Sequence, residues 1–242
     1  AQRQALVRAQ RELGVALVDI GGGSTSIAVF VEGSLAHSGV IPIGARNITN
    51  DLAIGMRVSL DSAEKVKVAL SRVKPEPAVP AADTSENDKS TDEIDLTKLG
   101  IREDIQTSSR KTLTDGIIKP RLHEIFTMVG MELKKSGFGG QTPAGIVLTG
   151  GGALTVDIST ACKRTLSLPT RIGIPRGLSG LVDEIHDPAY AAAAGLIIYG
   201  YKNAGVIRAR STSGSAFSKV MSRLPVKGSV NKAIDFIKSF LP

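Results

Sequence analysis

Two apolar runs that end in three consecutive glycines constrain this chain more than any other feature. The first is Val15-Ala16-Leu17-Val18-Asp19-Ile20, followed by Gly21-Gly22-Gly23-Ser24-Thr25. The second is Gly145-Ile146-Val147-Leu148-Thr149, followed by Gly150-Gly151-Gly152-Ala153. Each run is short and nearly unbroken, the pattern of a strand buried on both faces. Three glycines remove every Cβ from a turn, so backbone N–H groups can approach a phosphate or a ribose closely. Two such turns, far apart in sequence, are expected to form two walls of one nucleotide cleft. Asp19, at the end of the first run, is placed to hold a metal ion or its water.

The first glycine turn opens a strand meander. Residues 13–20, 26–31 and 35–43 read as three strands, with Glu32-Gly33-Ser34 as the hairpin turn between the second and third. This order differs from the Rossmann pattern, in which the glycine turn leads directly into a helix. The P-loop signature G-x-x-x-x-G-K-[ST] is absent. Helical patterns follow at 48–56 and from Asp61-Ser62-Ala63-Glu64, read as an N-cap with an acidic partner, to about Arg72. Residues 74–95 change character: they hold Pro75, Pro77 and Pro80, and seven acids and one Lys fall from Glu76 to Asp95, the composition of a solvated loop. Residues 113–135 regain helical spacing through Ile117, Ile118, Leu122, Ile125, Phe126, Val129 and Leu133. Pro120 is expected to start a new helix there or to kink the old one. Asp187-Pro188 reads as a cap and first-turn pair opening a helix over 189–199. The pattern loosens after Tyr201, and Ser211-Thr212-Ser213-Gly214-Ser215 reads as linker.

Composition excludes several classes. At 242 residues the chain can bury a core, and it has no Trp and only 4% aromatic residues, which argues against a base-stacking nucleic-acid surface. The single Cys, Cys162, excludes an internal disulfide and reads as a core residue of a helix over 159–166. No stretch approaches the roughly 20 apolar residues of a membrane span. The three His residues, His37, His123 and His186, stand without Cys or acidic neighbours at ligand spacing, so no metal signal is present. No Ser-His-Asp arrangement or nucleophile elbow is visible. The chain opens without Met on Ala1-Gln2-Arg3-Gln4, and reads as the carboxyl portion of a longer protein.

The formal charge of +7 is concentrated in the tail, where eight basic residues and one acid, Asp235, follow Tyr201. Val230, Ala233, Ile234, Ile237, Phe240 and Leu241 recur at helical spacing, with Lys232 and Lys238 on the other side. A basic amphipathic helix behind a flexible tether suits an anionic membrane surface, to which each nearby Lys or Arg contributes on the order of 1 kcal/mol. Docking of the same helix onto its own protein gives the same spacing.

One further element completes the site. Glu64 and Lys67, three residues apart on the 61–72 helix, share one face. The carboxylate can accept from ribose hydroxyls while the ammonium lies near a base. Taken alone, a glycine turn after a strand is more often just a tight turn, and a Glu/Lys pair is usually an ordinary surface ion pair.

The order strand–Asp-x-Gly-Gly-Gly, Glu-x-x-Lys helix, strand–Thr-Gly-Gly-Gly-Ala resembles the second half of the actin, DnaK-type chaperone and sugar-kinase superfamily. Finer wording narrows it. Residues 14–25, Val40-Ile41-Pro42-Ile43-Gly44, Ile48-Thr49-Asn50-Asp51-Leu52-Ala53, Ala63-Glu64-Lys65-Val66-Lys67 and Arg171-Ile172-Gly173-Ile174-Pro175-Arg176-Gly177-Leu178-Ser179-Gly180-Leu181 together resemble the FtsA family of bacterial cell-division proteins. The likeness covers about 12–201. It departs from the family pattern at Ser24 and Ser26, where Thr and often Asp are usual.

The resemblance implies an α/β, actin-like (ribonuclease-H-like) nucleotide-binding half with an inserted subdomain. Residues 1–12 become a leader, 13–45 and 139–204 the core, 46–138 the insertion with its acidic loop 74–95, 205–229 a linker and 230–242 an amphipathic membrane helix. It further implies an ATP- and Mg²⁺-binding scaffold that self-assembles and tethers FtsZ filaments at the division site, on the cytoplasmic face of the membrane. Asp19 would act through Mg²⁺-bound water. Gly21, Gly22, Gly23 and Ser24 would meet phosphates, and Gly44 and Asn47 would lie beside the nucleotide. Glu64 and Lys67 would touch ribose and base, and Gly150, Gly151 and Gly152 would line the adenosine. Arg121 would receive the FtsZ carboxyl-terminal peptide. Ile234, Phe236, Ile237, Lys238, Phe240 and Leu241 would meet the membrane. No nucleic-acid partner is implied. Since half the cleft is expected to lie upstream, the fragment alone should bind ATP poorly, with weak turnover at most. Two other readings share the architecture: a metabolic or chaperone ATPase, and a PilM-type pilus-assembly adaptor, which typically lacks the amphipathic helix.

Overall fold

The computed structural model describes residues 5–72, 92–101, 107–178 and 186–211, with side chains as far as residue 203. Residues 1–4 of the leader, most of the acidic loop (to 91), residues 179–181 of the last motif and everything from 212 onward, including most of the linker and the amphipathic segment 230–242, lie outside the described residues. The chain divides into two units, residues 1–198 and 199–242.

In chain order, helix α1 (Arg8–Leu13) precedes strands β1 (Val15–Ile20), β2 (Thr25–Val31) and β3 (Ser34–Ile41). Helices α2 (Ala45–Met56) and α3 (Leu60–Arg72) follow, then a short ribbon of β4 (Glu93–Asp95) and β5 (Thr107–Ser109). Helices α4 (Arg110–Leu113) and α5 (Lys119–Lys135), strand β6 (Ile146–Thr149), helix α6 (Ile158–Leu166), strand β7 (Thr170–Ile172) and helix α7 (Ala191–Ser211) complete the order.

Five strands form one mixed sheet in the order β3-β2-β1-β6-β7. The meander β1–β2–β3 is antiparallel, and β6 and β7 lie parallel to β1. Glu32 (φ 51) and Gly33 (φ 78) form the two-residue β2–β3 turn. Two consecutive positive-φ residues make a turn whose twist matches that of the strands it joins.

The sheet order explains the unbroken apolar reading of β1. Ala16, Val18 and Ile20 enter a large core with α2, α3, α5 and α6, while Val15 and Leu17 enter a smaller cluster with Ala5, Leu6, Phe30 and Val147. Both faces of the strand are therefore dry.

Leu122, Ile125, Phe126, Val129 and Leu133 are the buried stripe of α5, as the spacing predicts. Pro120 stands in the first turn of α5, as expected of a proline that starts a new helix. The chain remains helical from Arg110, and a π-helical turn at Thr114–Ile118 widens the backbone just before the proline. The Lys119 amide then bonds the Thr114 carbonyl, five residues back, as the π-helical turn requires. Lys119 Nζ fixes this turn through Asp115 (2.5 Å) and Asp157 (3.1 Å).

Other boundaries shift for identifiable reasons. Helix α3 is capped by Ser59, whose hydroxyl accepts from the Ser62 amide at 3.2 Å, and Asp61 lies inside the first turn. The end of the acidic stretch is not loop: β4 pairs with β5, and Asp92 accepts from Ser109 Oγ (2.6 Å) and the Lys111 amide (2.9 Å). Asp187 caps as expected, accepting from the Ala189 amide at 2.8 Å, and the helix it opens continues to Ser211, past the point where the sequence pattern loosens. Cys162 is fully buried on α6, and burial pushes its thiol up to about 11, against the weaker pull of the Thr170 hydroxyl.

Phe126 is the largest fully buried side chain. Phe126→Ala is expected to cost about 3–5 kcal/mol of stability, read as a lower urea midpoint at unchanged slope.

Candidate nucleotide site

Both glycine turns leave the carboxyl ends of adjacent parallel strands, since Asp19 of β1 pairs with Thr149 of β6. Ligands of open α/β sheets bind at such strand ends. The second turn is held close to β1. Gly150 has φ +83, and a Cβ there would collide with Asp19 Oδ1 and come within 2.6 Å of the Ile20 carbonyl oxygen. A Cβ on Gly152 would collide with the Ile20 side chain. These two glycines therefore serve close approach of the strand ends. Gly151 faces open space apart from Ala189, and is exposed.

The first turn behaves in the opposite way. The Gly21 amide closes it by donating to the Ser24 carbonyl at 2.9 Å, and Gly22, Gly23 and Ser24 are exposed. A Cβ on Gly22 or Gly23 would meet nothing within 4 Å. Neither glycine has the positive φ that would make it necessary for the turn. The bare backbone here leaves room that the fold itself does not use.

Helix α2 is anchored to that turn by its first amides. Ala45 N–H donates to the Gly21 carbonyl (2.9 Å) and Arg46 N–H to the Gly22 carbonyl (2.8 Å). The approach requires Gly44, whose Cβ would lie 2.6 Å from both carbonyl oxygens. Asn47 Oδ1 accepts from the Gly44 amide at 3.0 Å and fixes the helix start. Thr25 seals the base of the turn, its buried hydroxyl donating to the Ile43 carbonyl at 2.8 Å.

Helix α3 faces α2 across a polar cluster. Lys67 is 8% exposed and donates to Glu64 Oε2 (2.7 Å), Thr49 Oγ1 (2.9 Å) and the Ala45 carbonyl (3.4 Å). An ammonium has three donors, and all three are matched. Thr49 in turn donates to Glu64 Oε2 at 2.6 Å. Burial raises the Glu64 carboxyl. The hydrogen bonds from Lys67 and Thr49, with the charges of Lys67 and Arg46, outweigh it and hold the group below its ordinary value. The ionised form thus stabilises the fold at pH above the ordinary carboxylate range. That contribution disappears as pH falls through the lowered value.

These walls enclose a cavity of about 990 Å³, at the upper end of ordinary ligand pockets. Gly22, Glu64, Lys67, Gly151 and Gly152 line it together, with Arg46, Thr49, Asp61, Arg72 and Asp187 among residues that the sequence reading did not single out. Asp19, Gly21, Gly23, Ser24, Gly44, Asn47 and Gly150 are not in its lining. Gly21, Gly44 and Asn47 brace the α2 start, and Asp19 stands against Gly150. Thr49 had a detectable signal: it is a polar residue within the buried stripe Ala45, Ile48, Thr49, Leu52 and Met56 of α2. Among the described residues no three His, Cys, Asp or Glu side chains gather as a metal cage.

Arg121 lies elsewhere, on the exposed side of α5. Its guanidinium holds Asp51 of α2 bidentately (2.5 and 2.7 Å) and Glu124 (2.5 Å), with 24% of the side chain exposed. Asp51 and Glu124 outweigh the effect of burial and raise its already high pKa. Two of the three histidines are also paired: His37 with Glu132 (3.1 Å) and His123 with Thr165 (3.1 Å).

The sheet order, with glycine turns at both parallel strand ends, defines an actin-like ATPase fold. MreB 5 of Spiroplasma citri, solved bound to AMPPNP, has that fold: it superposes with a TM-score of 0.59 at 21% identity, covering 84% of this chain and 57% of that one. A family model described as cell division protein FtsA matches residues 16–195. Cell division protein FtsA of Pseudomonas aeruginosa is 36% identical over 225 residues, covering 91% of this chain and 50% of the relative. That of Borreliella burgdorferi is 34% identical over 223 residues, covering 92% and 51%. The chain belongs to the FtsA family of cell-division proteins. It spans about half the length of the curated relatives it matches.

The two glycine turns should respond differently to a methyl group. Gly150→Ala, at positive φ and against Asp19, is expected to lose at least about 2 kcal/mol. Gly22→Ala should stay within about 0.5 kcal/mol of the parent. Urea unfolding of the two variants side by side measures the difference.

Proposed function

We propose that this chain supplies one wall of the ATP site of an actin-like cell-division scaffold that assembles with its own copies, binds FtsZ and associates with the membrane at the division site. The observation that carries the nucleotide reading is the convergence of Gly22, Gly151, Glu64 and Lys67 on one cavity. The room left beside Gly22 and Gly23, which a Cβ would fill without disturbing the fold, supports the same reading. The residues fit the cofactor. The exposed Gly22–Gly23–Ser24 backbone would take phosphate oxygens through its amides. Arg46, on the cavity wall, would add positive charge there. The Glu64 carboxylate would accept from ribose hydroxyls, and the open backbone of Gly151 would lie against the adenosine. Asp19, at the strand end between the two turns, would hold a water of Mg²⁺. The metal would supply charge neutralisation of the phosphates.

Two further parts of the proposal concern partners. Arg121 presents an edge of its guanidinium from the surface of α5, and an acidic peptide such as the FtsZ carboxyl terminus would share it with Asp51 and Glu124. The 230–242 segment, with its apolar stripe and lysines, would lie in an anionic membrane surface. No described helix is long and apolar enough to cross a membrane.

The nucleotide reading is tested on the complete gene product by equilibrium binding of ATP with Mg²⁺. Gly22→Ala should weaken binding at least about tenfold at unchanged stability, because the methyl occupies the space assigned to phosphate; equal affinity of variant and parent refutes the assignment. The tail reading is tested with a synthetic peptide of residues 214–242. Its helicity by circular dichroism should rise on anionic vesicles, and binding should fall at high salt. No spectral change on vesicles refutes the tether.

A further inference from the structure

We infer that Thr49 is the positioning residue that gives the cleft its preference for a ribose over a 2′-deoxyribose. The inference rests on the nucleotide reading above. Its basis is the division of labour between the two oxygens of Glu64. Oε2 takes both protein hydrogen bonds, from Thr49 (2.6 Å) and Lys67 (2.7 Å). Oε1 has no hydrogen-bond partner among the described residues, and the side chain lines the cavity at 50% exposure. A carboxylate held in this way presents one fixed acceptor to the cavity. It matches a ligand group that donates, which a sugar hydroxyl does and a deoxy position cannot. A site built to bond a hydroxyl discriminates strongly against the analogue that lacks it.

Fixing that acceptor requires more than Lys67. Glu64 and Lys67 share α3, so without Thr49 the half-exposed carboxylate would be referred to α2 only indirectly, through the long 3.4 Å bond from Lys67 to the Ala45 carbonyl. Thr49 belongs to α2 and is 5% exposed. Its hydroxyl accepts from Lys67 and donates to Glu64 at 2.6 Å, a far nearer and charged acceptor than the Ala45 carbonyl at 3.4 Å, so its single proton points at Oε2. The tie crosses from one helix to the other. It refers the carboxylate to α2, whose first amides hold the Gly21–Gly22 carbonyls. Acceptor and phosphate turn are thereby set at a fixed separation by one rigid helix. Lys67 is consumed in this tie, with its three donors on Glu64, Thr49 and Ala45, and serves it as the second anchor.

The experiment is calorimetric titration of the complete gene product with ATP and with 2′-deoxy-ATP, each with Mg²⁺. The parent should favour ATP by about tenfold. Thr49→Val, which conserves volume and removes the hydroxyl, should reduce that ratio at least about threefold, chiefly by weakening ATP. Thr49→Ser should restore it. A threonine that merely stabilises the α2–α3 packing would lower both affinities together and leave the ratio unchanged, and that result overturns the inference. A parent ratio near one also overturns it. A parent that binds neither nucleotide defeats the nucleotide reading itself, and with it the inference; binding with an insensitive ratio defeats the inference alone. Should the valine variant fail to fold, Lys67→Gln loosens the same carboxylate from its second anchor. It must shift the ratio in the same direction, and an unshifted ratio overturns the inference.

Discussion

Two backbone hydrogen bonds organise this molecule: the Ala45 and Arg46 amides to the Gly21 and Gly22 carbonyls. The first amides of a helix have no partners within it and must find them elsewhere. Here they find the turn that ends β1, and Gly44 permits the approach because any side chain would strike both carbonyl oxygens. This contact sets the direction in which α2 leaves the sheet. That direction decides where Thr49 and Asp51 come to lie, and so where α3 and α5 can be tied. The glycines divide into two kinds by the same criterion. Gly44, Gly150 and Gly152 are small because protein backbone or side chain is already there, and Gly22 and Gly23 are small where nothing is.

Much of the architecture was legible in the chain. The strands of the meander, the hairpin turn at Glu32-Gly33, the α5 stripe and the cap at Asp187 all follow from local chemistry: alternation or full burial, positive-φ turn residues, apolar spacing and a side chain able to accept from an amide. The grouping of Glu64 with Lys67 followed from helical spacing. What escaped was one local choice and several non-local ones. Ser59 rather than Asp61 caps α3, because Ser59, two residues earlier, reaches the Ser62 amide, a choice that composition alone leaves open. Pro120 stands in the first turn of α5 as expected, but the π-helical turn before it was not foreseen; there Lys119 reaches Asp157, far along the chain beside α6. Thr49 carries no motif of its own and matters only once α2 and α3 are packed.

The polar cluster between α2 and α3 also shows how a nearly buried cation is accommodated. Removing an ammonium from water is costly unless its donors are matched and an opposite charge is near. Lys67 meets both conditions with one carboxylate, one hydroxyl and one carbonyl, and Glu64 keeps its other edge in contact with water. The Asp51–Arg121 pair follows the same logic at the surface of α5, with a planar guanidinium on both oxygens of a partly covered carboxylate. Two residues apart on α2, Thr49 and Asp51 bind the helix to α3 on one side and to α5 on the other. The helix is thereby defined by polar ties at its flanks as well as by apolar packing beneath it.

The chain's single sulfhydryl is also shut away from solvent. Cys162 has no exposed surface, and burial keeps its proton on until about pH 11. Maleimides and disulfide reagents require the thiolate and an open approach, so neutral solutions of the folded protein should offer such reagents no background. A cysteine introduced anywhere on the surface would then be the sole point of attachment for a fluorophore or spin label, with no need to replace the native one.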